Sequence, residues 1–96
     1  MARAAKPAYF RSSPLAAFGR RVRAFRHARG WSQEELAHRA SLHVTYVSSV
    51  ERGERNISLV NILALGEALK ADPGAFLTTD AGLYQRAVAA TTAKGR

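Results

Sequence analysis

Apolar residues recur every three or four positions along most of this chain, which is the spacing of amphipathic helices. The first stripe is formed by three large side chains at i, i+4 and i+7: Phe18, Val22 and Phe25. It predicts a helix that begins near Ser13, carries Pro14 in its first turn and ends at about Arg29. Because the sequence shows no internal repeat and no β-hairpin signal, we expect an all-α fold.

A second helix is predicted to follow Trp31, which we expect to pack under its start. Ser32 is suited to cap this helix, and Glu35, three residues later, completes the sequence pattern of a capping box. The helix runs to Ala40, where the periodicity breaks and Ser41 occupies a turn.

A third helix is predicted from His43 to about Arg52, with Gly53 as its left-handed C-cap. Two valines, Val47 and Val50, are three residues apart and face inward. The opposite face carries small or basic side chains: Thr45, Ser48, Ser49 and Arg52. Two short helices joined by a tight turn, the second with an uncrowded polar face, have the layout of a DNA-reading helix-turn-helix.

A fourth helix is predicted from Leu59 to Lys70, with Ser58 as its cap. Its apolar stripe is Ile62, Leu65 and Leu69. Gly66 lies inside this helix, where glycine costs up to ~1 kcal/mol relative to alanine, so we expect a close contact with another helix there.

Asp72 and Pro73 suit the N-cap and first position of a short fifth helix that holds Phe76 and Leu77. The chain then divides into a basic N-terminal arm (1–13), a helix-turn-helix domain (14–79) and a tail (80–96) that can form a sixth helix. The arm is either a frayed terminus or a DNA-binding segment that uses Arg3, Lys6 and Arg11.

Positive charge is concentrated near the N-terminus. The formal net charge is +8, and eight basic residues but no acidic one precede Glu34. This imbalance favours nucleic acid or an anionic membrane surface as partner. Nucleic acid is the better prediction, because no apolar run approaches the ~20 residues of a membrane span.

Composition also argues against several other classes of protein. Ninety-six residues make one small domain, and we expect neither an effector domain for small molecules nor a catalytic domain beside it. Without cysteine, and with His27, His38 and His43 at no ligand spacing, we predict no metal site and no cofactor. No pair of catalytic groups is recognisable, so an enzyme is not expected. The N-terminus lacks the apolar core of a secretory signal, which predicts a cytoplasmic protein.

A longer series of residues resembles a known family, the Cro and phage-repressor type helix-turn-helix domain, also called the xenobiotic response element family. The resemblance covers Phe18 to about Leu77. The matching positions are Arg26, Gly30, Trp31 to Ala37, Tyr46 to Ser48, Glu51 to Gly53, Arg55, Asn56, Ser58 and Leu59. It implies a five-helix, lambda-repressor-like domain that regulates transcription by binding DNA. Within the family, residues 42–62 are most similar to the controller proteins of restriction-modification systems, which are small dimeric regulators.

The resemblance also implies roles for individual residues. Base contacts would come from Val44, Thr45 and Ser49, with Ser48 as a further candidate. Contacts to the DNA backbone would come from Gln33, His43, Tyr46, Arg52, Arg55 and Asn56. Arg26 and Glu51 correspond to an internal ion pair between the first helix and the end of the recognition helix; the alternative is an ordinary surface pair.

Two residues depart from the family pattern. Ser41 replaces the glycine usual in the turn, where a left-handed backbone is expected. Val44 occupies a site that is often polar, so it either contacts a thymine methyl group or turns inward beside Val47. Because Thr45 and Ser49 are short, we expect water or DNA shape to contribute to specificity.

A homodimer on a two-fold-symmetric operator is expected, because one short recognition helix reads only a few base pairs. We predict pairing through the fifth helix and the segment after it, which supply Phe76, Leu77, Leu83, Tyr84 and Val88. The alternative is that Phe76 and Leu77 close the monomer core while the chain from Leu83 onward frays. The rival function is an antitoxin-like or scaffold module whose main partner is another protein.

Overall fold

The computed structural model describes residues 14–78 and 81–94, and all regular secondary structure within these ranges is helical. The described helices are α1 (Pro14–Ala28), α2 (Gln33–Ala40), α3 (Val44–Glu51), α4 (Leu59–Leu69), α5 (Gly74–Leu77) and α6 (Ala81–Lys94). The all-α prediction is therefore confirmed, and the tail does contain a sixth helix. The predicted arm over residues 1–13 lies outside the described residues.

Two serine caps start helices at the residues that the sequence indicated. The Ser32 hydroxyl accepts a hydrogen bond from the Glu35 backbone N–H at 3.0 Å, and the Ser58 hydroxyl accepts one from the Asn61 N–H at 3.2 Å. The Glu35 carboxylate does not return the bond expected of a capping box. It instead accepts from Arg39 Nε at 2.6 Å, one helical turn further on.

The turn between α2 and α3 is left-handed at Ser41, with φ 57° and ψ 42°. The chain therefore adopts the backbone of the family at this position without the glycine that usually supplies it. The Leu42 N–H donates to the Ala37 carbonyl at 2.8 Å, and the Leu42 side chain packs against the core. Gly53 has φ 75° after α3, as its predicted role as a left-handed cap requires.

The region around α5 differs from prediction in two details. The helix begins at Gly74, whose N–H is capped by the Asp72 carboxylate at 2.9 Å, so Pro73 precedes the helix. A Cβ atom at Gly66 would lie 2.7 Å from Pro73 Cγ and 3.0 Å from the Ala71 carbonyl oxygen. The close contact at Gly66 is therefore with the loop between α4 and α5, and the prediction of a helix contact was wrong.

Phe76 lies at the centre of the core and has no exposed surface. Its ring meets those of Phe18 and Phe25 edge to face, with ring centroids 5.8 and 5.1 Å apart. Such aromatic contacts contribute about 0.5–1.5 kcal/mol each beyond the burial of apolar area. Phe76 therefore closes the monomer core, which corrects its predicted place in a dimer interface.

The sixth helix lies against α1 and α5. Ala87 and Val88 pack against the core, and the buried Thr91 hydroxyl donates to the Ala87 carbonyl at 3.0 Å. Part of the tail is thus built into the same domain, so Val88 is not free to pair with a second chain as predicted. The side chain of Tyr84 lies outside the described residues.

Backbone contacts at two glycines hold α1 against the end of α3. A Cβ atom at Gly19 would clash with the carbonyl oxygens of Val50 and Glu51, lying 2.6 Å from the latter. A Cβ atom at Gly53 would lie 2.6 Å from the Ala16 Cα. Because main chain meets main chain at both points, backbone packing rather than adaptable side chains sets how α1 lies against the end of α3.

Candidate nucleic-acid interface

The outer face of α3 is polar and accessible, while its inner face is anchored in the core. Val47 and Val50 are each 1% exposed. On the other side Thr45 and Arg52 are exposed and Ser48 is half-exposed. A helix held this firmly on one side presents its other side as a rigid, small-residue surface, which fits the width of a DNA major groove.

His43 fixes the first turn of α3. Its Nδ1 accepts a hydrogen bond from the Thr45 N–H at 3.2 Å, so the imidazole serves as the N-cap. The Thr45 hydroxyl lies 2.7 Å from the same nitrogen. The cap therefore also orients the Thr45 side chain, leaving its methyl group and hydroxyl at the exposed start of the helix.

Ser49 lies in a more buried position than its place in the sequence predicts. It is only 9% exposed, and its hydroxyl donates to the Tyr46 carbonyl at 2.8 Å. Arg55 folds back over it, with Nε 3.4 Å from the Ser49 oxygen. The expectation that Ser49 shows on the outer face of α3 is corrected accordingly, because the loop after α3 covers this part of the helix.

Val44 is half-buried and packs against the core cluster. The sequence left two alternatives, contact with a thymine methyl group or packing inward beside Val47. The structure favours the inward one, with part of the side chain still accessible. Trp31 is likewise half-buried against the core, and its ring lies 4.3 Å from the Arg39 guanidinium and 5.5 Å from that of Arg29.

Tyr46 connects α3 with α4 and with the loop between them. Its hydroxyl accepts a hydrogen bond from Asn61 Nδ2 at 3.0 Å, and the Arg55 guanidinium lies 4.9 Å from the centre of its ring. The Arg55 side chain is therefore directed by contacts with Tyr46 and Ser49, although it is exposed. Asn61 was not singled out from the sequence, since its role depends on a contact 15 residues away.

Arg26 and Glu51 form a bidentate ion pair between α1 and the end of α3. Arg26 Nε and Nη2 donate to the two carboxylate oxygens at 2.7 and 2.9 Å, and the side chains are only 9% and 2% exposed. Arg26 Nη1 also donates to the Trp31 carbonyl at 2.8 Å, and Gln33 Nε2 donates to Glu51 Oε1 at 2.9 Å. Four hydrogen bonds thus tie α1, the start of α2 and the end of α3 together.

Arg52 is the basic residue at the end of α3. It hydrogen-bonds the Ser48 hydroxyl, and its Nη2 lies 3.1 Å from Glu54 Oε1. The hydrogen bond from Arg52, together with its charge, lowers the pKa of the exposed Glu54 carboxyl. Both partners are in solvent, so this ion pair contributes little to stability and leaves the Arg52 guanidinium accessible to an anion. Asn56, two residues on, is exposed as well.

An apolar surface on α4 was missed in the sequence. Leu59, Val60 and Leu63 are 69%, 73% and 51% exposed, whereas Leu65 and Leu69 of the same helix are buried. Positions i, i+1 and i+4 share one side of a helix, so a second stripe opposite the core stripe was readable in principle. Leu77 and Leu83 are also exposed, on α5 and α6.

Within residues 14–78 and 81–94, no group of three or more His, Cys, Asp or Glu side chains is placed to hold a metal ion. None of the described helices has both the length and the apolar character to cross a membrane.

Comparison with known proteins matches the helix-turn-helix domain family to residues 17–76. The chain is 47% identical over 57 residues to control protein C.BamHI of Bacillus amyloliquefaciens, covering 58% of this chain and 70% of that protein. The crystal structure of the restriction-modification controller protein C.AhdI from Aeromonas hydrophila is similar at 52% identity with a TM-score of 0.64, over 67% of this chain and 96% of that one. The crystal structure of the hypothetical transcription factor NHTF from Neisseria is similar at 35% identity with a TM-score of 0.70, over 90% of this chain and 97% of that one. The chain therefore belongs to the helix-turn-helix domain family of DNA-binding transcriptional regulators, which are not enzymes.

Proposed function

We propose that this regulator binds a two-fold-symmetric operator as a homodimer, with α3 of each subunit in the major groove. The observation that carries the proposal is the accessible polar face of α3, held rigidly by the buried valines and by the Arg26–Glu51 pair. Two recognition helices one DNA turn apart, ~34 Å, would read two half-sites on the same side of the duplex. Its site of action would be the cytoplasm, where bacterial DNA lies.

Direct base reading is proposed for Thr45 and Ser48, the two accessible residues of α3 with short hydroxyl side chains. Each can donate or accept one hydrogen bond, and the Thr45 methyl group can contact a thymine methyl. Val44 contributes only through the part of its side chain that remains accessible, and Ser49 through its link to Arg55. Such short side chains leave part of the specificity to water and to DNA shape.

Phosphate binding is proposed for the polar and basic residues that flank α3: Gln33, His43, Tyr46, Arg52, Arg55 and Asn56. Arg55 is the strongest of these candidates, because its contacts with Tyr46 and Ser49 already restrict the side chain before DNA arrives. Gln33 is held by Glu51 in the same way.

The apolar side of α4 is the proposed pairing surface. Leu59, Val60 and Leu63 lie outside the core and are each more than half exposed. Pairing here would leave the outer face of α3 free for DNA and would cover apolar area that is otherwise in water. This proposal replaces the pairing through Phe76 and Val88, which the fold uses internally.

Selection of bound sites from random DNA would test the function. We expect a two-fold-symmetric motif for the parent protein, relaxed at one position per half-site in Thr45→Ala and in Ser48→Ala, at about 1–3 kcal/mol per base pair. Arg55→Ala serves as the matched contrast, because losing a phosphate contact should weaken binding to all sequences alike. It should also reduce the slope of log affinity against log salt by about 0.9. A motif without symmetry would contradict the homodimer, and an unchanged motif in both hydroxyl variants would contradict the assigned readers.

A further inference from the structure

One side of α1 carries a line of exposed basic residues. Ala16, Arg20, Arg23 and His27 are spaced i, i+4, i+7 and i+11, so they lie along one face of the helix. Arg20, Arg23 and His27 are all exposed. We call these three residues the α1 basic stripe.

The stripe starts at the DNA-reading part of the molecule. One helical turn before Arg20 and on the same face, the main chain of Ala16 touches Gly53 in the loop that follows α3. That loop carries Arg52 and Arg55, the two arginines proposed to bind phosphate. From this contact, the stripe continues along α1 with one basic residue per turn.

The other arginines in α1, and Arg29 directly after it, make contacts within the fold. Arg26 pairs with Glu51, Arg21 Nη1 donates to the Phe76 carbonyl at 3.3 Å, and Arg29 Nη2 donates to the Leu69 carbonyl at 2.7 Å. Within the described part of the chain, by contrast, no hydrogen bond or ion pair engages Arg20 or Arg23. α1 also has no acidic residue in its first turn.

We propose that the α1 basic stripe binds DNA phosphates next to those held by the loop after α3, extending the contact beyond the base pairs that α3 reads. The inference rests on the proposed function. Arg20 to His27 spans roughly 10 Å at 1.5 Å per residue, and one DNA strand places a phosphate about every 3.4 Å along the axis, so the stripe can follow two or three phosphates. Arginine is suited to this because it remains charged and can hold a phosphate with two parallel hydrogen bonds.

The test compares two variants that each lose two positive charges. Arg20→Gln with Arg23→Gln removes the charges of the stripe, and Lys70→Gln with Arg86→Gln removes two exposed charges elsewhere, at the end of α4 and on α6. Affinity for the selected operator is measured between 50 and 200 mM salt, on a duplex with long flanks and on one trimmed to the motif. Thermal melting of both variants establishes that the fold is intact.

On the long duplex, the stripe variant should show a slope of log affinity against log salt about 1.8 smaller than that of the parent. The parent would then lose about twelve-fold more affinity than this variant over the fourfold rise in salt. The control pair should keep the slope of the parent, and trimming the flanks should abolish most of the difference.

Three outcomes would overturn the proposal. Equal slopes for parent and stripe variant would identify the stripe as a solvated face or as a surface for an acidic protein. Equal effects of the two variant pairs would mean that only net charge matters. An undiminished difference on the trimmed duplex would exclude the extension into flanking DNA. Failure of the proposed function is distinct, since the parent protein itself would then show no sequence preference.

Discussion

Glu51 accepts hydrogen bonds from both Arg26 and Gln33 and is almost completely buried, so its charge is matched by contacts rather than by water. Removing one partner of a buried ion pair leaves the other charge buried without compensation, which costs about 3–5 kcal/mol. The composition and periodicity of the sequence do not mark Glu51 as buried, whereas the family resemblance implied an internal pair with Arg26.

Glu51→Gln is expected to lower the free energy of unfolding by about 3 kcal/mol or more, because the Arg26 guanidinium loses its counter-charge. Glu35→Gln is the matched control: it breaks an exposed pair with Arg39 whose side chains are 41% and 49% exposed, and should cost less than about 1 kcal/mol. Denaturant unfolding of both variants measures the two effects. Similar losses for the two glutamates would show that burial adds nothing to the Arg26–Glu51 pair.

The burial of Ser49 could not be predicted from helical spacing. A helical wheel places it nearly opposite Val47, which is why the sequence predicts an outward position. Its burial comes from Arg55, which folds back across the helix from the following loop. Loop paths of this kind depend on tertiary contacts and leave no periodic signal in the sequence, whereas the inward valines follow from helical spacing alone.

The helices themselves were predictable to within about one residue at most ends, because their signals are local. Ser32 and Ser58 cap through bonds to N–H groups three residues away, and Gly53 ends α3 through its own backbone conformation. The neighbour of Gly66 was not predictable, because the glycine indicates a close approach without saying which element approaches. For Gly19 too, the sequence does not show which element approaches; in the structure it is the end of α3.

Gly19→Ala is expected to destabilise the domain by at least about 2 kcal/mol, although alanine favours helices by up to ~1 kcal/mol. The added Cβ would press on the carbonyl oxygens of Val50 and Glu51, which are backbone and cannot rotate away. Because the strain falls on the end of α3, operator affinity should drop more than non-specific affinity.

Gly74→Ala is the control for Gly19→Ala, since its nearest neighbour is the Asp72 side chain at 3.2 Å, which can shift. Thermal melting compares the stability of the two variants, and binding to operator and random duplexes compares their specific and non-specific affinities. A Gly19→Ala protein as stable as the Gly74→Ala protein would mean that α1 and α3 can separate freely.

At the scale of the whole molecule, the large exposed leucines and valine lie on three helices: Leu59, Val60 and Leu63 on α4, Leu77 on α5 and Leu83 on α6. A charged residue on the surface that pairs in the proposed homodimer should dissociate it while leaving the core intact. Point substitutions on the surface leave α6 in place, which matters because α6 contributes Val88 and Thr91 to the packing of the monomer.

Val60→Lys is expected to shift the proposed homodimer to monomer at low micromolar concentration, because the 73% exposed side chain lies on the α4 surface. Leu83→Lys, at a position 48% exposed on α6, should leave the dimer intact. Sedimentation measures both. If Leu83→Lys were monomeric and Val60→Lys dimeric, pairing through α4 would be contradicted and the interface would lie on α6, in the tail.

The main-chain contacts of α1 at Gly19 and Gly53 also bear on how such a regulator can acquire new targets. Since these contacts and the inward valines set the pose of α3, the side chains of Thr45 and Ser48 do not anchor it in the core; they bond only to His43 and Arg52 at the two ends of the helix. On the proposed assignment of Thr45 and Ser48 to base reading, substitutions there would redirect the protein to another operator with little loss of stability. Duplicated copies of the gene would then diverge in target through one or two codons, with each intermediate still folded.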